Sequence, residues 1–333
     1  MYKRIYIGCA DACKKCIMIT KGVIFLFIGI DIGGTKCAVI KGAVGAAPEK
    51  RIEIPTGALK ATFEKIVCEI DALGEFDAIG ISCGGPLDEK RGVILSPPNL
   101  PGWDDFFIVD SLKARYGVPV ALCNDANACA LAEWQHGAGK GTENMVFLTF
   151  GTGLGAGLIL NGKLYRGTRG MAGEVGHIRL SEFGPSGYGK VGSFEGFCSG
   201  AGLFELGRAY AKKYIQNAKE PSFIKGKDIN SFTVKDMACA ARNGDECALE
   251  VFSVCSEMLG RGLAVISDIL DPDIIVIGSV FARCRDLLES RALEIMKKEA
   301  LGAGCRIDAP FFGESIGDMA APTVAELAKK EAL

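Results

Sequence analysis

FIGIDIGGTKCAVI, residues 27–40, is two β-branched runs meeting at Gly33 and Gly34, with the polar Asp31 and Thr35 at the bend. Isoleucine and valine suit a pleated, half-buried surface, and paired glycines suit a tight reversal, so the stretch predicts a β-hairpin with functional groups at its tip. Working outward, residues 55–73 read as a helix because Leu59, Phe63, Ile66, Val67 and Ile70 recur at helical spacing. FDAIGISC, residues 76–83, is a continuous apolar run ending in Gly84, Gly85 and Pro86, which predicts a buried strand opening into a loop. Residues 103–116 read as a second helix and PVALC, residues 119–123, as a third buried strand that delivers Asn124 and Asp125 at its C-terminal end.

The second half repeats this plan. Shifted by 120 positions, the hairpin meets FGTGLGAGLILNG, residues 150–162, again a Gly-rich turn with an apolar strand and a closing glycine. Shifted by 196, residues 76–83 meet PDIIVIGS, residues 272–279, with Asp77 falling on Asp273. Two diverged copies of one α/β unit account for both matches. Long helical patterns lie between them at residues 197–218 and 246–269, and a last helix at residues 321–330 is expected to pack back on the first domain. At 333 residues the chain exceeds one ordinary core, so two domains with a cleft between them are expected.

Bulk properties narrow the function. The net charge is −2, and no stretch carries the Lys/Arg stripe that a phosphate backbone needs, which argues against nucleic acid as a partner. Apolar residues make up 49% of the chain, but their runs are strand-length and broken by Gly, Asp or Lys, so no membrane span is expected beyond the N-terminus. The 14 cysteines are scattered through apolar segments instead of forming a secreted framework, which points to a reducing cytoplasm. Only His136 and His177 are present, leaving carboxylates and backbone amides to carry most of the chemistry. Residues 1–25 stand apart as a leader of uncertain role. Cys9, Cys13 and Cys16 there have a C-x3-C-x2-C spacing that in principle suits an iron–sulfur cluster, but no cofactor-binding context follows, and an accessory upstream segment is the better reading.

The turn at Gly33 and Gly34 leaves backbone N–H groups unobstructed, while Thr35 and Lys36 add a hydroxyl and a cation where phosphate oxygens would sit. Taken alone, such a hairpin is more often merely a turn. A second one, with Gly151, Thr152 and Gly153, raises the odds, because two turns facing across a cleft can hold the β- and γ-phosphates of ATP from both sides. Asp31 would then reach Mg²⁺, through water since that ion keeps much of its hydration shell.

Five segments in order now carry a family resemblance: GIDIGGTK from Gly29, GGPLD with PNLPGW at Gly84 and Pro98, NDANACALAEW from Asn124, GTGLGAGLI from Gly151, and AGEVGHI from Ala172. From Gly29 onward the chain resembles the ROK-family kinases, within the superfamily of actin, the heat-shock chaperones and the hexokinases. The resemblance implies a two-domain actin-like ATPase fold of duplicated ribonuclease H-like α/β units. Residues 26–122 with a C-terminal helix at about 318–333 would form the smaller domain and residues 123–317 the larger. It implies an ATP- and Mg²⁺-dependent hexose kinase, with glucose phosphorylated at its 6-position as the default and N-acetylmannosamine, allose and fructose as rivals. It also implies a homodimer.

By the same resemblance Asp125 is the general base, although an Asp at a helix start is also a good N-cap. Asn99, Asn124, Asp125, Glu174, His177 and Glu195 resemble the sugar-binding positions, against a plainer reading as loop polarity. Gly278 and Ser279 end a buried strand where the family's adenosine motif sits, though a strand-to-helix turn would look the same. One departure is clear. The family follows its His with a C-x-C-G-x-x-G-C-x-E segment whose thiolates bind structural zinc, whereas residues 186–195 here are SGYGKVGSFE, so no zinc is expected and His177 should be held by hydrogen bonds. Two alternatives remain: a sugar-responsive transcriptional regulator, which would need an N-terminal helix-turn-helix, and a sugar-binding ATPase without kinase turnover.

Overall fold

The computed structural model describes residues 25–302 and 304–332, so the Cys9, Cys13 and Cys16 spacing lies outside the described residues. Two five-stranded sheets share one plan. In the first, β1 (Phe27–Ile32), β2 (Lys36–Gly42) and β3 (Lys50–Pro55) form an antiparallel meander. Then β4 (Ala78–Cys83) pairs parallel with β1, and the last strand, Val120–Asn124, pairs parallel with β4. Helix α1 (Leu59–Asp71) lies between β3 and β4, and the crossover from β4 to the last strand carries the short strands β5 (Leu87–Asp88) and β6 (Val93–Ile94) and helix α2 (Ile108–Tyr116). The strand Val120–Asn124 is therefore β7, and the sheet order is β3-β2-β1-β4-β7.

The second sheet repeats that order as β10-β9-β8-β13-β14, from β8 (Met145–Leu148), β9 (Ala156–Leu160), β10 (Lys163–Leu164), β13 (Ile274–Ile277) and β14 (Arg306–Asp308). The expected shifts hold where they matter: β2 begins at Lys36 and β9 at Ala156, and β4 begins at Ala78 and β13 at Ile274. The aspartates matched across the repeat also do the same work. Asp77 Oδ2 accepts from Leu26 N at 2.9 Å, and Asp273 Oδ2 accepts from Glu143 N at 3.0 Å and Asn144 N at 2.9 Å. Each ties the entry of its parallel strand to the entry of the neighbouring hairpin.

Between the sheets lie α3 (Asp125–His136) and α10 (Ile316–Glu331). The second sheet sorts its side chains with period two: Met145, Phe147, Ile274 and Val276 pack with α3 and α10, while Val146, Leu148, Ile275 and Ile277 face a separate core. That outer core holds α5 (Gly200–Gln216), α6 (Val234–Arg242), α7 (Glu246–Leu270) and α9 (Arg285–Glu299), with the short helices α4 (Phe194–Phe197) and α8 (Val280–Arg283). In the first sheet Ile28, Ile30, Ile79 and Ile81 face α1 and α2, and the alternate positions face α10. Those positions are small for a reason. A Cβ on Gly29 would stand 2.5 Å from Pro322 Cδ and one on Gly80 2.1 Å from Ala321 O, so the helix lies nearly on the strands.

Several boundaries differ from expectation. The second helix starts at Ile108 instead of 103, because Phe106 and Ile94 exchange backbone hydrogen bonds, which commits residues 103–106 to a turn and bridge instead of a helix. Buried Trp103 donates Nε1 to Gly57 O at 3.1 Å, so its apolar bulk serves a turn. The last helix starts five residues before the expected 321, running through Pro322, whose ring looks from sequence like a first helical residue. Strand β3 and helices α6 and α9 are additions that the sequence reading did not name.

Candidate active site in the cleft

Strand register assembles the site. Asp31 pairs with Ser82, and Ser82 with Cys123; one step on, Ile32 pairs with Cys83, and Cys83 with Asn124. Three parallel strands thus end level, and Asp31, Gly84, Asn124 and Asp125 collect at their carboxyl ends, where open α/β sheets bind ligands. β7 passes into α3 with no intervening residue. The body of α3 lies on the other sheet, where a Cβ on Gly157 would meet Ala126 O at 2.5 Å and Ala130 Cβ at 2.5 Å. The first turn of α3 is therefore fixed by both halves.

Capping of α3 falls to Asn124. Its Oδ1 accepts from Ala126 N at 3.0 Å and Asn127 N at 3.4 Å. Asp125, the alternative cap, is the first helical residue and exposed at the cleft floor, with Oδ1 accepting from Ala126 N at 2.8 Å. A Cβ on Gly84 would stand 4.0 Å from Asp125 Oδ2 and 3.8 Å from Asn99 Nδ2, which brings those two polar groups to one glycine. Although open to solvent, the Asp125 carboxyl is walled in by protein, and this desolvation raises it above the usual range against the lowering effect of the Ala126 N–H, its own N–H and the Asn124 amide.

Asp31 lies on the α10 side of β1, where a Cβ on Gly317 would be 3.5 Å from its Oδ2. Burial, with repulsion from Asp125 and Asp318, pushes its carboxyl up to about 6, opposed by the Ser82 hydroxyl and by Arg51. Among the described residues no three His, Cys, Asp or Glu side chains converge as a ready-made metal cage. Mg²⁺ bound with a nucleotide does not need one, since one or two carboxylates plus phosphate oxygens and water suffice. A corner with excess negative charge from Asp31, Asp125 and Asp318 fits that role.

The first glycine turn is closed by Gly33 N donating to Lys36 O at 3.0 Å and by Thr56 Oγ1 donating to Gly33 O at 2.7 Å. Gly34 packs on Asn99, whose backbone O lies 2.8 Å from the Cβ position, and Thr35 is exposed. Lys36 Nζ is bonded to Glu53 Oε2 at 2.9 Å on the neighbouring strand. In the second turn Gly151 N donates to Gly153 O at 2.9 Å, and the N-terminus of α5 donates from Gly200 to Gly151 O at 2.7 Å and from Ala201 to Thr152 O at 3.3 Å. Ser279 reaches the same turn, its Oγ 3.8 Å from the Gly151 Cβ position, and Gly278 N donates to Leu148 O at 2.9 Å.

Ser279 has φ 54° and ψ −113°, a region that L side chains avoid. Ser279→Gly is expected to relieve this and raise Tm by about 2 °C. A fall in Tm on calorimetry would mean that the hydroxyl contact outweighs the strain.

Glu195 leads from the other side. Its Oε2 accepts from Leu154 N at 2.9 Å, so this carboxylate is bonded to the second turn itself. Glu174 and His177 flank Gly176, whose Cβ position is 2.2 Å from Leu154 O and 3.2 Å from Glu195 Cβ; both side chains are exposed. Sequence reading missed Glu89, which binds Asn124 N at 2.8 Å through Oε1, Asn127 Nδ2 at 3.3 Å through the same oxygen, and Arg166 through Oε2. Nothing in the sequence around Glu89 announces this, because its partners come from two distant segments, the start of α3 and Arg166.

Structural zinc does not fit the residues present. Ser193 Oγ, buried, already accepts from Gly187 N at 3.2 Å and Gly196 N at 3.1 Å, and Ser186 and Tyr188 offer a hydroxyl and a phenol at the other two positions. A separate pocket of about 490 Å³ opens at the opposite ends of the same strands, among Leu26, Phe76, Tyr116 and Val118. Asp77 there is engaged with Leu26 N and Lys329, and the Tyr116 hydroxyl with Val67 O and Asp71, so the strand-end cleft is the candidate site.

Two like sheets with facing glycine turns and a shared helix between them define an actin-like ATPase fold. The ROK family description matches residues 27–325, and the chain belongs to that family. It is 34% identical over 278 residues to a glucokinase of Halalkalibacterium halodurans, covering 79% of this chain and 82% of the relative. A xylose repressor of Caldicellulosiruptor bescii is 29% identical over 224 residues, 67% of this chain and 55% of the repressor. The crystal structure of a ROK family glucokinase from Streptomyces griseus in complex with glucose and AMPPNP superposes with a TM-score of 0.75 at 29% identity, covering 91% of this chain and 99% of that one.

Proposed function

We propose that this chain is an ATP-dependent hexose kinase with glucose, at its 6-position, as the first substrate to test. The observation that carries the reading is the division of labour at the start of α3: Asn124 caps the helix, so the Asp125 carboxylate is left at the cleft floor beside Gly84 and Asn99. There Asp125 accepts the proton of the sugar hydroxyl as that oxygen bonds to the γ-phosphorus and the bond to ADP breaks. Asn99, Glu174 and His177 pair with sugar hydroxyls, with Glu195 joining the sugar side to the second phosphate turn. The N–H groups of Gly34, Thr35, Thr152 and Gly153 cradle the phosphates, those of Gly33 and Gly151 closing the turns themselves, and Gly278 with Ser279 lies against the adenosine. Asp31 would hold Mg²⁺ through water, and the ion would supply compensation for the charge that develops on the transferring phosphoryl group.

Residues 26–122 with α10 would move as the smaller unit, which the close seating of α10 on Gly29 and Gly80 supports. No helix among the described residues is long and apolar enough to cross a membrane, and all eleven cysteines there are free thiols, in keeping with a cytoplasmic setting. The repressor relative makes a sugar-sensing role the second reading. The test is coupled ADP release across a panel of hexoses with Mg²⁺, with the phosphosugar identified by mass. Hexose-dependent ADP matched by phosphosugar is expected. ADP without phosphosugar, or no ADP together with sugar-dependent DNA binding, would overturn the proposal.

A further inference from the structure

Between His177 and Glu195 the chain is ordered by contacts that need no metal. β11 (Ser186–Gly187) and β12 (Lys190–Val191) pair in a two-residue hairpin, closed by Tyr188 at φ 50° and Gly189 at φ 78°. Two left-handed residues are what a type I′ turn demands. Glycine takes that conformation freely, but a bulky aromatic there is strained. The strained residue turns its ring onto His177, with centroids 5.6 Å apart and planes at 66°. From the same hairpin Lys190 Nζ donates to His177 O at 2.6 Å. The hairpin is itself anchored by the buried Ser193 hydroxyl, by Arg179 Nη1 donating to Val191 O at 2.8 Å, and by Leu180 N and Ser181 N donating to Gly192 O.

We infer that Tyr188 is a positioning residue: its ring sets the His177 imidazole toward the sugar, so that this site orients its histidine without a metal. The inference rests on the hexose-site reading above. Ser186, Tyr188 and Ser193 are the three residues that stand where the resembled family has thiolates, and together they supply a hairpin pair, an aromatic contact and a buried hydrogen-bond centre. An edge-on aromatic pair is worth enough to matter: its loss corresponds to a roughly three- to tenfold weaker interaction.

The chain has two histidines, so the imidazole Hε1 protons give two NMR signals, assigned with His177→Gln. In Tyr188→Ala the His177 signal is expected to lose its ring-current shift, and KM for the hexose to rise roughly three- to tenfold with kcat nearly unchanged. Tyr188→Phe keeps the ring and should keep both the signal and KM. Tyr188→Gly, which suits the positive φ, should match the Ala variant in KM while holding or raising Tm, so misfolding is not mistaken for the effect. Treatment with a chelator, followed by Mg²⁺, should leave the wild-type KM unchanged. An unmoved His177 signal in Tyr188→Ala, an unchanged KM, or a KM raised by chelation would each overturn the inference. A wild type inert toward every hexose would instead overturn the reading beneath it, and the inference with it.

Discussion

Asp125→Asn is expected to lower kcat by about 10²- to 10⁴-fold while leaving KM for the hexose within a fewfold of wild type. The amide keeps the shape of the carboxylate, and Asn124 still caps α3 through Ala126 N and Asn127 N, so the helix start should not move. What is lost is a group able to take the proton of the attacking hydroxyl. Stability should not fall either. The Asp125 carboxyl is raised by desolvation, so the folded chain disfavours its charge at neutral pH, and the neutral amide removes that burden. Single-turnover kinetics with bound sugar and ATP is the measurement. A rate within tenfold of wild type would remove Asp125 from the chemistry.

Asp31→Asn should separate stability from activity. The Asp31 carboxyl is raised to about 6 in the folded chain from the ordinary aspartate value of 3.8. Below pH 3.8 both folded and unfolded chains hold this proton, and charge plays no part. Between 3.8 and 6 the folded chain holds a proton that the unfolded chain has released, so stability falls as pH rises through that window. Above 6 the carboxylate is ionised in both states and the full penalty is present. The neutral variant escapes it and should gain about 2 kcal/mol, or roughly 4 °C in Tm, at pH 7.5, with no gain at pH 3.5. Turnover should nevertheless drop about 100-fold, because the proposed anchor for the nucleotide's Mg²⁺ is gone. Wild-type activity at limiting Mg²⁺ should decline as pH is lowered through about 6. Denaturation scans with and without Mg-ATP check this: a variant less stable than wild type at pH 7.5, or one still stabilised by Mg-ATP as wild type is, would contradict it.

The sequence carried the duplicated plan because strands buried on both faces need unbroken apolar runs and their turns need glycine, and both marks survive divergence. FIGIDIGG, FDAIGISC and PDIIVIGS were therefore readable. Helix starts were not, where tertiary contacts overrode local pattern: Phe106 bridges Ile94 and delays α2, and Pro322 hides the first turn of α10 that brings Gly317 and Asp318 to Asp31. In the site, the residues on motif segments could be named one by one, but their pairing could not. The bond from Glu195 to Leu154 N, the pairing of Lys36 with Glu53, and the three partners of Glu89 join segments tens of residues apart. A one-dimensional pattern holds no record of which side chain meets which backbone amide.

The unbroken passage of β7 into α3 has a further consequence. The glycine turns differ in length between the halves, three residues between β1 and β2 and seven between β8 and β9, yet neither change reaches Asp125. The carboxylate rides on the backbone that belongs to both halves at once, so its coordinates are set by strand pairing on one side and helix packing on the other. On the proposed reading, insertions in either turn would retune the grip on the nucleotide and leave the Asp125 carboxylate where it was. A single residue inserted between Cys123 and Ala126 would rotate the acceptor out of the cleft and slip the helix on both sheets together.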